Sequence, residues 1–201
     1  MESVELFAGG GGLALGLHEA GFTPVAVIER DPDSCVTLRE NWIRAMGSDL
    51  RLFDNDVREV DFREWQGRVR LVSGGPPCQP FSVGGKHRGY RDDRDMFPHA
   101  VHVVRIVQPE AFVFENVRGL LRKSFAKYFG YVLLQLQYPE LTKREGEAWC
   151  EHLARLEEHH TAGIQRGLHY RVVFQKVNAA DFGVPQHRER VVIVGFRSDI
   201  Q

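Results

Sequence analysis

The sequence predicts an α/β fold, a mostly parallel sheet with helices on both faces, and three observations carry that prediction. Short β-branched or aromatic runs recur at 4–7, 24–28, 69–73, 111–114, 170–174 and 191–196. Helix-length amphipathic segments separate most of them, at 13–20, 32–42, 96–107 and 125–137. A glycine turn, Ala8-Gly9-Gly10-Gly11-Gly12, follows the first run directly. Strands divided by helices return to one sheet through crossovers, which favours parallel neighbours. At 201 residues, 43% hydrophobic, the chain can bury one real core, so residues 1–201 are expected to form a single domain. Segment 139–167 stands apart: it is highly charged, and Leu141, Trp149, Leu153 and Leu156 recur at roughly helical spacing. It predicts an extra helix docked by a narrow apolar stripe.

Composition excludes more than it names. The three cysteines, Cys35, Cys78 and Cys150, are an odd number without close pairing, which points to a reduced cytosolic compartment. Glu2 and a glycine run stand where a signal peptide needs a basic start and an apolar stretch, and no apolar run could cross a bilayer. No membrane partner is expected. The formal net charge of −1 neither demands nor forbids a polyanionic partner.

The glycine turn is the first sign of a ligand. A strand, a glycine turn and a helix present backbone N–H groups and a positive helix end, and the missing side chains permit close approach. Gly9, Gly11 and Ala14 satisfy the G-x-G-x-x-A form of the dinucleotide fingerprint, and Glu29 ends the second run, where an acid can hold ribose hydroxyls. The pattern points to an adenosine-bearing ligand and leaves a nicotinamide dinucleotide and S-adenosylmethionine both open.

A cysteine in a stiff setting separates them. In GGPPCQPFS, Pro76, Pro77 and Pro80 fix the backbone around Cys78 just past the run 69–73, which places the thiol at the carboxyl edge of the sheet, where open α/β sheets bind ligands. A nucleophilic thiol needs such fixed orientation, nearby positive charge and access. Cys35 and Cys150 read instead as small buried hydrophobes. The run 111–114 leads into Glu115-Asn116-Val117, again a carboxylate at a strand end, and Arg188 and Arg190 precede the last run in alternation, pointing to one side of an extended segment. Thiol, carboxylate and guanidinium thus converge on neighbouring strand ends. His152, His159 and His160 read as surface residues of a charged helix rather than zinc ligands, so no metal is expected.

In order and spacing, FAGGGGLALGL, GGPPCQPFS, ENVRGL and GVPQHRERVVIVGFR resemble the motif blocks of the DNA (cytosine-5) methyltransferases across nearly the whole chain. The resemblance implies a Rossmann-like S-adenosylmethionine-dependent methyltransferase fold. It implies that Phe7, Gly9, Gly11, Leu13, Val57 and Pro76 line the cofactor pocket, that Glu29 holds the ribose, and that Asp56 meets the adenine amino group. Cys78 is then the nucleophile; Glu115, with Asn116, Ser82 and Gln186, forms the cytosine pocket that Arg188 and Arg190 complete. S-adenosyl-L-homocysteine is the implied product, double-stranded DNA the substrate, and the bacterial nucleoid the place of action, in a restriction-modification system. Segment 82–95, with glycines and cations, is expected to close over DNA.

The chemistry requires these residue types. Carbon 5 of cytosine becomes nucleophilic enough only after addition at carbon 6, which Cys78 would make; Glu115 would stabilise the activated ring at N3, and Arg188 the charge at O2. A dehydrogenase needs neither PPCQ nor ENV. A tRNA-methylating relative would carry a Cys-Phe-Thr segment, absent here, and a catalytically silent partner would be expected to lack Cys78 or Glu115. Two departures matter. Arg30 stands where many relatives place a large apolar residue against adenine. Family members also continue past the QHRER strand into a target-recognition domain, so a complementary chain is expected to supply it.

Overall fold

The computed structural model describes residues 1–46, 51–77, 95–163 and 165–200. Along the chain run β1 (Glu2–Leu6), α1 (Gly12–Glu19), β2 (Thr23–Ile28), α2 (Pro32–Met46), β3 (Leu52–Phe53), β4 (Leu71–Gly74), α3 (Phe97–Val107), β5 (Ala111–Val117), α4 (Ala126–Gln137), α5 (Trp149–Thr161), β6 (Tyr170–Asn178) and β7 (Glu189–Arg197). The strands form one seven-stranded sheet in the order β3-β2-β1-β4-β5-β7-β6. All pairings from β3 to β5 are parallel, and β7 runs antiparallel between β5 and β6. The α/β class and the mostly parallel sheet are as the sequence predicts.

Alternation along β2 shows why helices cover both faces. Ala26 and Ile28 enter a core with Leu6, Phe112 and Phe114 of the sheet, Phe97 of α3 and Leu136 of α4. Val27 points the other way, onto Leu38 of α2 and Ala8. Gly11 is required where α1 begins: its φ is +84°, and a Cβ there would stand 2.6 Å from Leu38. Leu6, Ile28, Gly74 and Phe114 lie in register at the carboxyl edge. Beyond that edge β5 continues, so Glu115, Asn116 and Val117 pair only with Val192, Val191 and Arg190 of β7.

Several expectations change. β3 is too short for any apolar run to reveal, and it forms because its two residues extend the sheet beside β2. Phe7 leaves the first strand with φ +53°, opening the turn. The expected extra helix exists as α5, but Leu141 precedes it. His152 is not a surface residue: it is 1% exposed, accepts from the Tyr131 hydroxyl at Nδ1 (2.8 Å) and donates from Nε2 to the Leu141 carbonyl (2.7 Å). Cys150, expected to be buried, is exposed, whereas Cys35 is buried. In a charged segment, burial depends on which helical face meets α4, and composition does not show that. Among the described residues no helix is long and apolar enough to cross a membrane.

One buried carboxyl conditions stability. Glu5 of β1 is 2% exposed and accepts the Ser73 hydroxyl at 2.5 Å. Burial pushes it up to about 7 from an ordinary 4.5, with Ser73 and the Ala14 N–H opposing in part. A carboxyl raised in the fold favours folding fully below its unfolded value, and that contribution is lost as pH rises through about 7. Glu5→Gln keeps an acceptor for Ser73 and removes the titration. The variant should be more stable than the parent at pH 8 by on the order of 2–3 kcal/mol, and nearly equal near pH 5, in urea unfolding. Parallel pH profiles would contradict this role.

Candidate active site

At the carboxyl edge between β1, β2 and β4 lies a cavity of about 240 Å³ lined by Phe7, Gly9, Ile28, Glu29, Arg30, Asn55, Asp56, Val57, Gly75, Pro77 and Met96. Glu29 organises it. Its Oε2 accepts the Gly9 N–H at 2.8 Å, and its Oε1 accepts those of Arg30 and Asp31 at 2.9 and 2.8 Å. The carboxylate therefore ties the glycine turn to the end of β2 and keeps one acceptor position, on Oε2, for a ligand hydroxyl. A Cβ on Gly9 would meet nothing within 4 Å, so the turn faces open space. An adenosine-bearing group fits these residues.

Asp56 is more heavily engaged than the sequence suggests. Its Oδ1 accepts the backbone N–H and Nε of Arg58 (3.0 and 2.8 Å), and its Oδ2 accepts Arg58 Nη2 and Arg30 Nη1 (2.8 and 3.0 Å). Four donors fill a carboxylate's four acceptor positions, and the Arg58 bonds foremost hold the group far below the usual carboxylate range.

The β5 overhang supplies the second half of the site. Glu115 is half-buried and pairs with Arg190 Nε at 2.6 Å. Asn116 is buried; its Nδ2 donates to the Pro76 carbonyl at 2.8 Å, and its Oδ1 accepts the Val117 N–H at 2.9 Å. A Cβ on Gly75 would stand 3.7 Å from Glu115 Oε2, so the carboxylate adjoins the wall of the first cavity. The Met96 N–H meets the Pro77 carbonyl at 3.0 Å, pinning the two ends of segment 78–94 together at the same edge.

The sequence-predicted residues divide as follows. Phe7, Gly9, Glu29, Asp56 and Val57 share the first cavity. Gly11 borders a separate cavity against Leu38 and Trp42, half-buried Leu13 borders neither cavity, and Pro76 is buried behind the wall as the acceptor for Asn116. Gln186, Arg188 and Arg190 line a further cavity of about 610 Å³ with Arg118 and Asn178. Arg188 is exposed and precedes β7, its backbone N–H bonded to Asn178 Oδ1 at 3.0 Å. Only Arg190 of the two arginines meets Glu115. Cys78, Ser82 and all of segment 82–95 except Asp95 lie outside the described residues. Ile28, Asn55, Gly75 and Met96 escaped sequence reasoning; each adjoins a recognised residue or begins a helix, and adjacency alone gives no chemical signal.

The family model for C-5 cytosine-specific DNA methylase matches residues 1–138 and 157–201. The chain is 36% identical over 197 residues to Type II methyltransferase M.NgoMIV of Neisseria gonorrhoeae, covering 98% of this chain and 52% of that protein. It is 35% identical over 202 residues to M.AquIA of Picosynechococcus sp., covering 96% and 71%. A DNA modification methyltransferase encoded within a prophage, from E. coli, shares the fold with a TM-score of 0.68 at 24% identity, over 100% of this chain and 47% of that one. The chain thus spans about half the length of the first of these relatives.

Asp56 offers a direct test of the cavity. Arg30→Leu removes one of its four donors and frees an acceptor position for an adenine amino group. Calorimetry with S-adenosylhomocysteine should show binding tightened about fivefold, or roughly 1 kcal/mol. Weaker binding would show that Arg30 contributes more by contact than it withholds by occupying Asp56.

Proposed function

The chain belongs to the C-5 cytosine-specific DNA methylases, and we propose that it carries the catalytic half of an enzyme that methylates carbon 5 of cytosine in duplex DNA. The observation that supports this best is the Asn116–Pro76 bond, because it sets the stretch entering Cys78 against Glu115 and Arg190. The methyl donor is S-adenosylmethionine, held by Glu29, the Gly9 turn and the walls at Val57 and Phe7. When bound, it supplies an electrophilic methyl group.

The residues then have distinct tasks. Cys78 adds as thiolate to carbon 6, forming a carbon–sulfur bond and moving the electron pair toward carbon 5 and the N3–O2 side of the ring. With cytosine bound, a proton shared between the Glu115 carboxyl and N3 stabilises that charge, and Arg190 fixes the geometry of the carboxyl. Once carbon 5 carries the methyl group, its proton passes to a water molecule and the ring expels the Cys78 thiolate, restoring the double bond. The cytosine must leave the base stack to reach this edge, at a cost of a few kcal/mol. Arg188 and Gln186, exposed beside Arg118, are placed to meet the strand around it.

Sequence recognition is assigned to a complementary polypeptide. The relatives extend beyond the span matched here, and one face of the β5-β7-β6 wing carries exposed Val117, Phe196 and Val173. A second layer packed there would cover that apolar surface. The enzyme is expected to act in the cytoplasm, on chromosomal DNA.

Transfer of labelled methyl groups to mixed-sequence duplex DNA tests the reading. With the complementary polypeptide present, Cys78→Ala should abolish transfer while leaving cofactor affinity within about twofold. Glu115→Gln should lower turnover by about 100-fold or more with little change in DNA affinity, because its contact strengthens as the ring is activated. This chain alone should show only trace transfer. A Cys78→Ala variant that still methylates would refute the covalent route.

A further inference from the structure

Another cavity shares Val57 with the one at Glu29, and its other described lining residues have no part in this chemistry. It measures about 480 Å³ and lies between α3, the turn Val57–Glu59 and the chain entering α5. Arg58, His99, His102, Arg105 and Lys143 line it, and among the described lining residues there is no carboxylate. Val101 and Leu141 add apolar surface. Among the described residues, Asp56 and Glu147 act on these groups from outside the walls, and both have partners: Asp56 holds Arg58 and Arg30, and Glu147 holds Arg155 and the Arg144 N–H.

The polar groups are ordered for an anion. Arg105 Nη2 lies 2.6 Å from His102 Nδ1; a guanidinium only donates, so Nδ1 accepts and the His102 proton sits on Nε2. Burial, then Arg58, pushes His99 down; burial, then Arg105 and His99, does the same to His102. The lining therefore presents the guanidinium of Arg105 and the ammonium of Lys143 with no carboxylate among the described lining residues, an arrangement that suits an anion.

One wall lies outside the spans that the family model matches. Leu141, Lys143 and His152 fall within residues 139–156, which the family model skips. His152 braces that wall through its bonds to Tyr131 and Leu141. The cavity's size and concavity suit a small molecule better than the convex backbone of a duplex.

We propose that this cavity binds a small organic phosphate, with the phosphate at Arg105 and Lys143 and the apolar part on Val101 and Leu141. Phenyl phosphate, titrated calorimetrically into the 201-residue chain with the histidine rings followed by NMR, is the test. It should bind about tenfold more tightly than inorganic phosphate, which lacks the apolar half. Arg105→Gln with Lys143→Gln, both on solvent-accessible side chains, should weaken it at least about tenfold while leaving S-adenosylhomocysteine affinity unchanged. Resonances of His99 and His102 should shift on binding, because both rings line the cavity. The proposal is overturned if the double variant binds like the parent, if inorganic phosphate binds equally well, or if shifts are confined to the cavity at Glu29. Displacement of phenyl phosphate by a short DNA duplex would also overturn it, assigning the patch to nucleic acid instead.

Discussion

A single buried hydrogen bond, from Asn116 Nδ2 to the Pro76 carbonyl, constrains everything built at the sheet edge. Pro76 has a fixed φ, and Pro77 behind it restricts it to extended backbone, so the direction of that carbonyl is set before any contact forms. Asn116 occupies the β5 overhang, past the last β4 partner, and its side-chain Oδ1 accepts the Val117 N–H. The bond therefore ties the chain leaving β4 to the β5 overhang, beyond the last rung of their ladder. Breaking it would leave a buried amide unsatisfied, a cost of about 1–3 kcal/mol, and would release the approach to Cys78 from Glu115.

The cofactor side obeys the same logic through a carboxylate. Glu29 gathers three backbone N–H groups and ties a glycine turn with positive φ to the end of β2. Its task in the protein alone is structural, and only one acceptor position remains for a ligand. Asp56 is engaged still further by Arg58 and Arg30. Arg58 and Arg30 thus occupy the acid beside the Glu29 cavity, while Arg190 fixes the acid at the β5 overhang.

Much of this was legible in the sequence because the relevant signals are local. Apolar runs separated by amphipathic segments give the sheet, and the acids that end two of those runs, Glu29 and Glu115, stand at its carboxyl edge. What sequence does not reveal depends on distant partners. The two-residue β3 carries no periodicity. The length of β5 beyond Phe114 depends on antiparallel pairing with β7, about seventy residues away in sequence. His152 looks solvated among charged neighbours, yet Tyr131 and the Leu141 carbonyl satisfy both ring nitrogens and make burial tolerable. The closure of Asp56 by Arg30 depends on a contact spanning 26 residues of sequence.

The central claim is that Cys78 forms a covalent bond to a cytosine held beside Glu115. It is tested most directly with duplex DNA carrying 5-fluorocytosine, because fluorine at carbon 5 cannot leave as a proton does and traps the adduct after methyl transfer. Incubated with S-adenosylmethionine and the complementary polypeptide, then digested for mass spectrometry, the protein should yield the nucleotide on the peptide containing Cys78. An adduct on Cys35 or Cys150, or turnover of unmodified DNA with no trapped species on the fluorinated duplex, would contradict the account.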